Sequence, residues 1–184
     1  MNHHEIETKV LEVDPVAIKS LLEQLGARQL QDVLLTVDWY RDPRRNPDQD
    51  EWYLRIRTSS AGQPEVTWKA KADRMSVARK VKEISFHLDH PDELAALFEG
   101  IGLECYAHQE KYRTSWEYQD WRFDLDRYPG IPPFLEIEGS SDAHVQEAMT
   151  LLGLAGHPTH TDGERTLIQD VYHTNWYAMS FGKN

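Results

Sequence analysis

The chain of 184 residues has a single cysteine, Cys105, so no internal disulfide can form. No apolar stretch reaches the length that crosses a bilayer, and no signal-peptide pattern opens the sequence. The expectation is a cytoplasmic protein with no membrane partner. Positive charge is in deficit: 20 Lys and Arg stand against 31 Asp and Glu, a net charge of −11. Nucleic acid is therefore excluded as an expected partner, because phosphate backbones need a basic face. Neither a G-x-x-x-x-G-K loop nor a G-x-G-x-x-G turn is present, so the usual nucleotide-binding folds are excluded too. His157 and His160 have ligand-like spacing but lack the companions of a zinc site, and Cys105 reads as a packing residue.

What the sequence does have is charge on alternate residues. Glu5-Ile6-Glu7-Thr8-Lys9 opens the chain, and Glu136-Ile137-Glu138 repeats the device near its end. Between them lie Arg55-Ile56-Arg57, Lys69-Ala70-Lys71, Lys111-Tyr112-Arg113 and Asp124-Leu125-Asp126. A β-strand sends residues i and i+2 to one face, so each pair points one way. One such pair is an ordinary solvated face. Six pairs sorted by sign predict a charged interior.

The remaining pattern predicts one α+β domain over 1–184. Asp14 to Gly26, Asp89 to Gly102 and Ser141 to Gly153 read as helices, each closing near a glycine. Leu34 to Tyr40, Trp52 to Thr58, Glu65 to Lys71, Ala78 to Leu88, Lys111 to Glu117 and Trp121 to Asp126 read as strands. Arg41 to Glu51 reads as a loop, Pro129 to Pro133 as a turn, and Glu164 to Trp176 as a C-terminal helix or capping arm. Many antiparallel strands with both faces in use suggest a closed barrel with helices packed outside.

Carboxylates at strand spacing suit hard divalent cations, Mg²⁺ or Mn²⁺. Glu5, Glu7, Asp126, Glu136 and Glu138 are the candidate metal ligands. The cationic rows complement them: Lys9, Arg55, Arg57, Lys69, Lys71, Lys111 and Arg113 could neutralise a short polyphosphate, which a monophosphate would not require.

Glu5-Ile6-Glu7-Thr8-Lys9 resembles the E-x-E-x-K signature of the CYTH superfamily, the triphosphate tunnel metalloenzymes. Tyr53-Leu54-Arg55-Ile56-Arg57 resembles its L-R-I-R strand, Thr67-Trp68-Lys69 its T-x-K strand and Glu110 to Arg113 its K-x-R strand. Leu125-Asp126 through Phe134-Leu135-Glu136-Ile137-Glu138 resembles its closing segment, and Asp38-Trp39-Tyr40 its D-x-Y. The resemblance implies a closed eight-stranded antiparallel barrel, a triphosphate held by Lys and Arg, and metal held by glutamates. It implies a Mg²⁺- or Mn²⁺-dependent triphosphatase on an inorganic or organic triphosphate, as monomer or homodimer. A class IV adenylyl cyclase, making cyclic AMP from ATP, and a non-catalytic polyphosphate-binding module are the alternatives. Thiamine triphosphatases further imply a Lys–Tyr catalytic pair, carried over to Lys69 and Tyr40. Two departures stand out. Ile131-Pro132-Pro133 replaces a leucine-glycine turn and stiffens the loop. The strand Val81 to Ser85 has only Glu83 where many relatives carry an arginine and two glutamates, with Val81 and Ser85 at the other same-face positions, so Arg79 or nearby lysines would have to complete that row.

Overall fold

The computed structural model describes residues 3–45, 52–70, 73–74 and 78–182, with the side chains of 3–5, 73, 74, 79 and 80 excepted. Eight strands carry the fold: β1 (His3–Val10), β2 (Arg28–Arg41), β3 (Trp52–Ser59), β4 (Glu65–Ala70), then, after the short β5 (Asp73–Arg74), β6 (Arg79–His87), β7 (Glu104–Tyr118), β8 (Trp121–Arg127) and β9 (Phe134–Gly139). They pair antiparallel in the order β1-β9-β8-β7-β2-β3-β4-β6. β1 also pairs with β6, Glu5 opposite Val81 and Glu7 opposite Arg79, so the curled sheet makes a full circuit. The expected barrel architecture is thus present. β2 and β7 are far longer than the branched and charged runs that signalled them. They pair from Arg28–Glu117 to Arg41–Glu104 through two irregularities, between Gln29 and Gln31 and between Trp39 and Tyr40.

Three helices lie outside, as expected: α1 (Pro15–Gln24), α2 (Pro91–Gly100) and α3 (Asp142–Leu151). Asp14 caps α1, its Oδ1 accepting from Val16 N at 2.9 Å, with Pro15 in the first turn where its missing N–H costs nothing. Ile18 and Leu22 of α1 and Val145, Ala148 and Met149 of α3 bury against Phe123, Leu125, Leu135 and Ile137, the outward residues of β8 and β9. α2 covers Tyr40, Ile56 and Val66 with Phe98. Because these apolar residues take the outer face, strand alternation turns Asp124, Asp126, Glu136 and Glu138 inward.

After α3 the chain returns to the sheet as β10 (Thr159–His160), paired with Lys9 and Val10 at the end of β1. It continues as a helical turn, α4 (Glu164–Thr166), and a π-helical turn, Leu167–Val171, and ends with β11 (Ala178–Met179) beside β7. Leu167, Ile168 and Trp176 are buried against Leu35, Val37 and Trp39 of β2, which fill that part of the interior with apolar side chains. No helix among the described residues is long and apolar enough to cross a membrane.

Candidate active site

Inside the sheet lies a cavity of about 550 Å³, a volume common for small-molecule sites. Among the described residues its cationic lining is Arg55, Arg57, Lys69, Arg113, Arg122 and Arg165. Its carboxylates are Glu7, Glu65, Glu83, Asp124, Glu136, Glu138, Asp162 and Glu164. Six cations face eight anions, so the described lining is net negative.

The cations are held in place by carboxylates on neighbouring strands. Arg57 meets Glu65 at 2.6 Å, and Lys69 meets Glu83 at 2.5 Å. Glu83 is drawn down to about 2: burial opposes its ionisation, but Lys69 and Arg55 outweigh that. Arg113 forks onto Asp126, at 2.6 and 2.5 Å, and reaches Asp124 at 2.7 Å. Burial works against the Arg113 charge, yet Asp124 and Asp126 hold it firmly protonated. Burial likewise opposes ionisation of Glu136, and Lys9 and Arg113 keep it well below the usual carboxylate range.

Arg55 differs from these. It is only 8% exposed, and no described carboxylate lies within ion-pairing distance. Its guanidinium sits 5.4 Å from the Trp39 ring centroid, and its buried Nε has no hydrogen-bond partner. A buried unsatisfied donor on a charged group is costly. Arg55 is therefore a ready anion receptor in the cavity wall.

The structure sorts the predicted residues into three groups. Glu7, Glu136, Glu138, Arg55, Arg57, Lys69 and Arg113 line the cavity together. Glu7 and Glu138 are register partners across β1 and β9, with Glu136 two residues away. Lys9 and Lys111 lie behind the lining, 0% and 1% exposed. Lys9 Nζ is 3.1 Å from Glu136 and 3.7 Å from Glu7. These two lysines support the carboxylates rather than front the cavity. Lys71 and the side chains of Glu5 and Arg79 fall outside the described residues.

Two further predicted residues stand apart from the lining. Asp126, read as a metal ligand, is fully buried and absent from the lining. Arg113 takes both its oxygens and Lys111 approaches at 2.9 Å, so in this structure it balances buried cations. Tyr40, read as partner of Lys69, lies on the outer face with its ring 5.1 Å from that of Phe98 in α2. The reason is alternation: Trp39 takes the inward position, so Tyr40 must face out. Burial and the nearby Cys105 and Asp38 push its hydroxyl up to about 12. The tyrosine beside Lys69 is Tyr53, its register partner on β3, and both line the cavity.

Sequence reasoning missed several lining residues. Glu65 extends the alternation of Thr67 and Lys69 by one step and was readable from it. Trp39 was readable too, as the alternate of Tyr40 on β2, whereas Trp176 and Glu164 were not, because their positions depend on how the C-terminal segment packs. That segment contributes Asp162 to Thr166 to the cavity lining.

The donor chemistry suits a hard cation. Three carboxylates on adjacent strands, Glu7, Glu136 and Glu138, face the lumen. Among the described residues no group of three His, Cys, Asp or Glu is gathered closely enough to hold an ion alone. Mg²⁺ is commonly bound by a few carboxylates, with substrate phosphates and water completing the sphere.

The family model described as CYTH domain matches residues 3–162. The chain belongs to the CYTH family. Its CYTH fold recurs in solved structures. The PH1012 protein of Pyrococcus horikoshii superposes with a TM-score of 0.68 at 24% identity, over 82% of this chain and 90% of that one. A putative adenylate cyclase of Vibrio parahaemolyticus gives 0.74 at 16% identity, over 92% and 99%. A putative adenylyl cyclase of Hippeastrum gives 0.67 at 16% identity, over 95% and 97%. At these identities the likeness is one of fold. No curated protein matches the sequence.

Proposed function

We propose that this CYTH protein is a divalent-metal-dependent triphosphatase that hydrolyses an inorganic or organic triphosphate within the cavity. The observation that carries the reading is Arg55: a buried guanidinium without a described counter-ion, beside Arg57, Arg113 and Lys69. Such a group calls for an anionic ligand with several oxygens. The negative balance of the described lining supports a metal requirement, since a polyanion would enter it favourably only with counter-cations. Glu7, Glu136 and Glu138 are the residues that would hold Mg²⁺ or Mn²⁺. A bound cation would neutralise charge on the phosphate oxygens as it develops.

The protein's own residues supply binding and orientation. Arg55 and Arg57, on one strand face, clamp phosphate oxygens, with Glu65 fixing the Arg57 rotamer. Glu83 holds the Lys69 ammonium, which adds a third positive charge to the cavity wall. Catalysis in phosphoryl transfer is mostly positioning and charge stabilisation, and this arrangement provides both. The Hippeastrum neighbour is described as having a dominant triphosphatase activity, which favours hydrolysis over cyclisation as the reading for this fold. Incubation of purified protein with triphosphate and Mg²⁺ or Mn²⁺ tests the proposal. Metal-dependent phosphate release that is lost in Arg55→Ala supports it, and absence of release with both metals refutes it.

A further inference from the structure

Cross-strand register supplies counter-ions to the charged interior and leaves Arg55 out. Four cations take a carboxylate from the residue directly opposite on the neighbouring strand: Lys9 from Glu136, Arg57 from Glu65, Lys69 from Glu83 and Arg113 from Asp126. Opposite side chains stand about 5 Å apart at Cβ, so register alone brings such pairs together. Arg55 has two opposites, Trp39 on β2 and Thr67 on β4, and neither is acidic. Trp39 meets the guanidinium with its ring, because its one polar side-chain atom is engaged elsewhere: the indole N–H donates to Gln109 Oε1. Gln109 is fully buried and itself donates to the Trp176 carbonyl at 2.5 Å, which fixes the ring. The Thr67 hydroxyl donates to Glu65 Oε1 at 3.0 Å, toward the carboxylate that serves Arg57. Glu83 and Glu164 respond to the Arg55 charge from beyond ion-pairing distance, and each is already held by a lysine, Lys69 or Lys111.

We infer that Trp39 and Thr67 set which cation of the wall is free to take a phosphate group: they stand where other interior cations meet a carboxylate, and so reserve the Arg55 charge for the ligand. The inference rests on the triphosphate reading. An aromatic face attracts a guanidinium without cancelling its charge, and it occupies none of the N–H groups that phosphate oxygens would take. A carboxylate at either position would instead fork onto those N–H groups, as Asp126 does with Arg113. An incoming phosphate would then have to displace it first. Trp39 therefore holds the guanidinium in place from one side, and Thr67 keeps the other side neutral. A cation in this wall is committed or receptive according to the residue across from it.

Calorimetric titration with linear inorganic triphosphate and Mg²⁺ tests this through pairs of variants that differ by one charge. Trp39→Glu and Trp39→Gln lose the same ring. Thr67→Asp and Thr67→Asn form a second pair on the other flank, which decides the matter if the Trp39 variants do not fold. In each pair the acidic variant should bind triphosphate about tenfold more weakly than the amide, the loss of one charge-assisted contact. Ser85→Asp and Ser85→Asn are the comparison for general repulsion. Ser85 also lines the cavity and lies opposite Thr67, one strand further from Arg55. There the gap should stay below about threefold, because the added charge acts only at longer range. If wild type binds triphosphate but the acidic and amide members of either flanking pair bind alike, the role of Trp39 and Thr67 is overturned and the triphosphate reading stands. A gap at Ser85 as large as at the flanking positions overturns it equally, since repulsion alone would then account for the loss. If wild type does not bind triphosphate, the triphosphate reading falls and takes the inference with it.

Discussion

Replacing Asp126 with asparagine separates a structural counter-ion from a metal ligand. Asp126 is fully buried and takes two hydrogen bonds from Arg113 and one from Lys111. Removing one member of a buried ion pair typically costs about 3–5 kcal/mol, because a charge is left without compensation. Here compensation is partial: Arg113 keeps Asp124 at 2.7 Å and Lys111 keeps Glu164 at 2.5 Å. The lower end applies, about 3 kcal/mol, which for a chain of this size is a loss of roughly 6–12 °C in Tm. Glu138→Gln is the contrast. Glu138 lines the cavity opposite Glu7, so relief of like-charge repulsion offsets part of what losing one carboxylate costs there, and Tm should fall by less than in Asp126→Asn. Metal-free thermal and urea melts of both variants provide the assay. An Asp126→Asn protein that melts within about 2 °C of the parent, with Mg²⁺ binding lost, would refute the counter-ion assignment.

Other outcomes follow from the same geometry. Lys69→Ala should lower kcat more than it raises KM, while Arg57→Ala should act mainly on KM. Tyr53→Phe should lose part of the turnover, whereas Tyr40→Phe, on the far side of the wall, should stay within about twofold of wild type in steady-state assays. Glu83 is drawn down to about 2 from an ordinary 4.5, so its contribution to stability is complete above about pH 4.5 and is lost as pH falls toward 2. Acid denaturation of Glu83→Gln should accordingly show a shallower slope over that window, measured by fluorescence. A slope equal to wild type would mean the Lys69–Glu83 pair does not form in solution.

Much of this architecture was legible because the charged pairs obey a period of two. Arg55 with Arg57 and Glu136 with Glu138 each share a face by alternation alone, and the apolar residues between them, Ile56 and Ile137, are buried on the other side. The helices were legible from their caps and stripes. What alternation cannot give is depth along the channel. Asp126 and Glu136 look equivalent in sequence, but Asp126 is fully buried under Arg113 and Glu136 lies in the cavity lining. Tyr40 misled because the D-x-Y resemblance drew attention from Trp39, which strand geometry places on the opposite face. Glu164 carried no local signal at all: its partners Lys111 and Tyr128 are remote in sequence, and only the path of the C-terminal arm brings them together.

The most direct test of the central claim is a parallel assay of the purified protein. Triphosphate, ATP and thiamine triphosphate are supplied with Mg²⁺ or Mn²⁺, and phosphate and cyclic AMP are read together. The account predicts phosphate release from at least one substrate, abolished by chelation of the metal and by Glu138→Gln, with no cyclic AMP. Cyclic AMP as the main product, or binding of all three substrates without turnover, would contradict it.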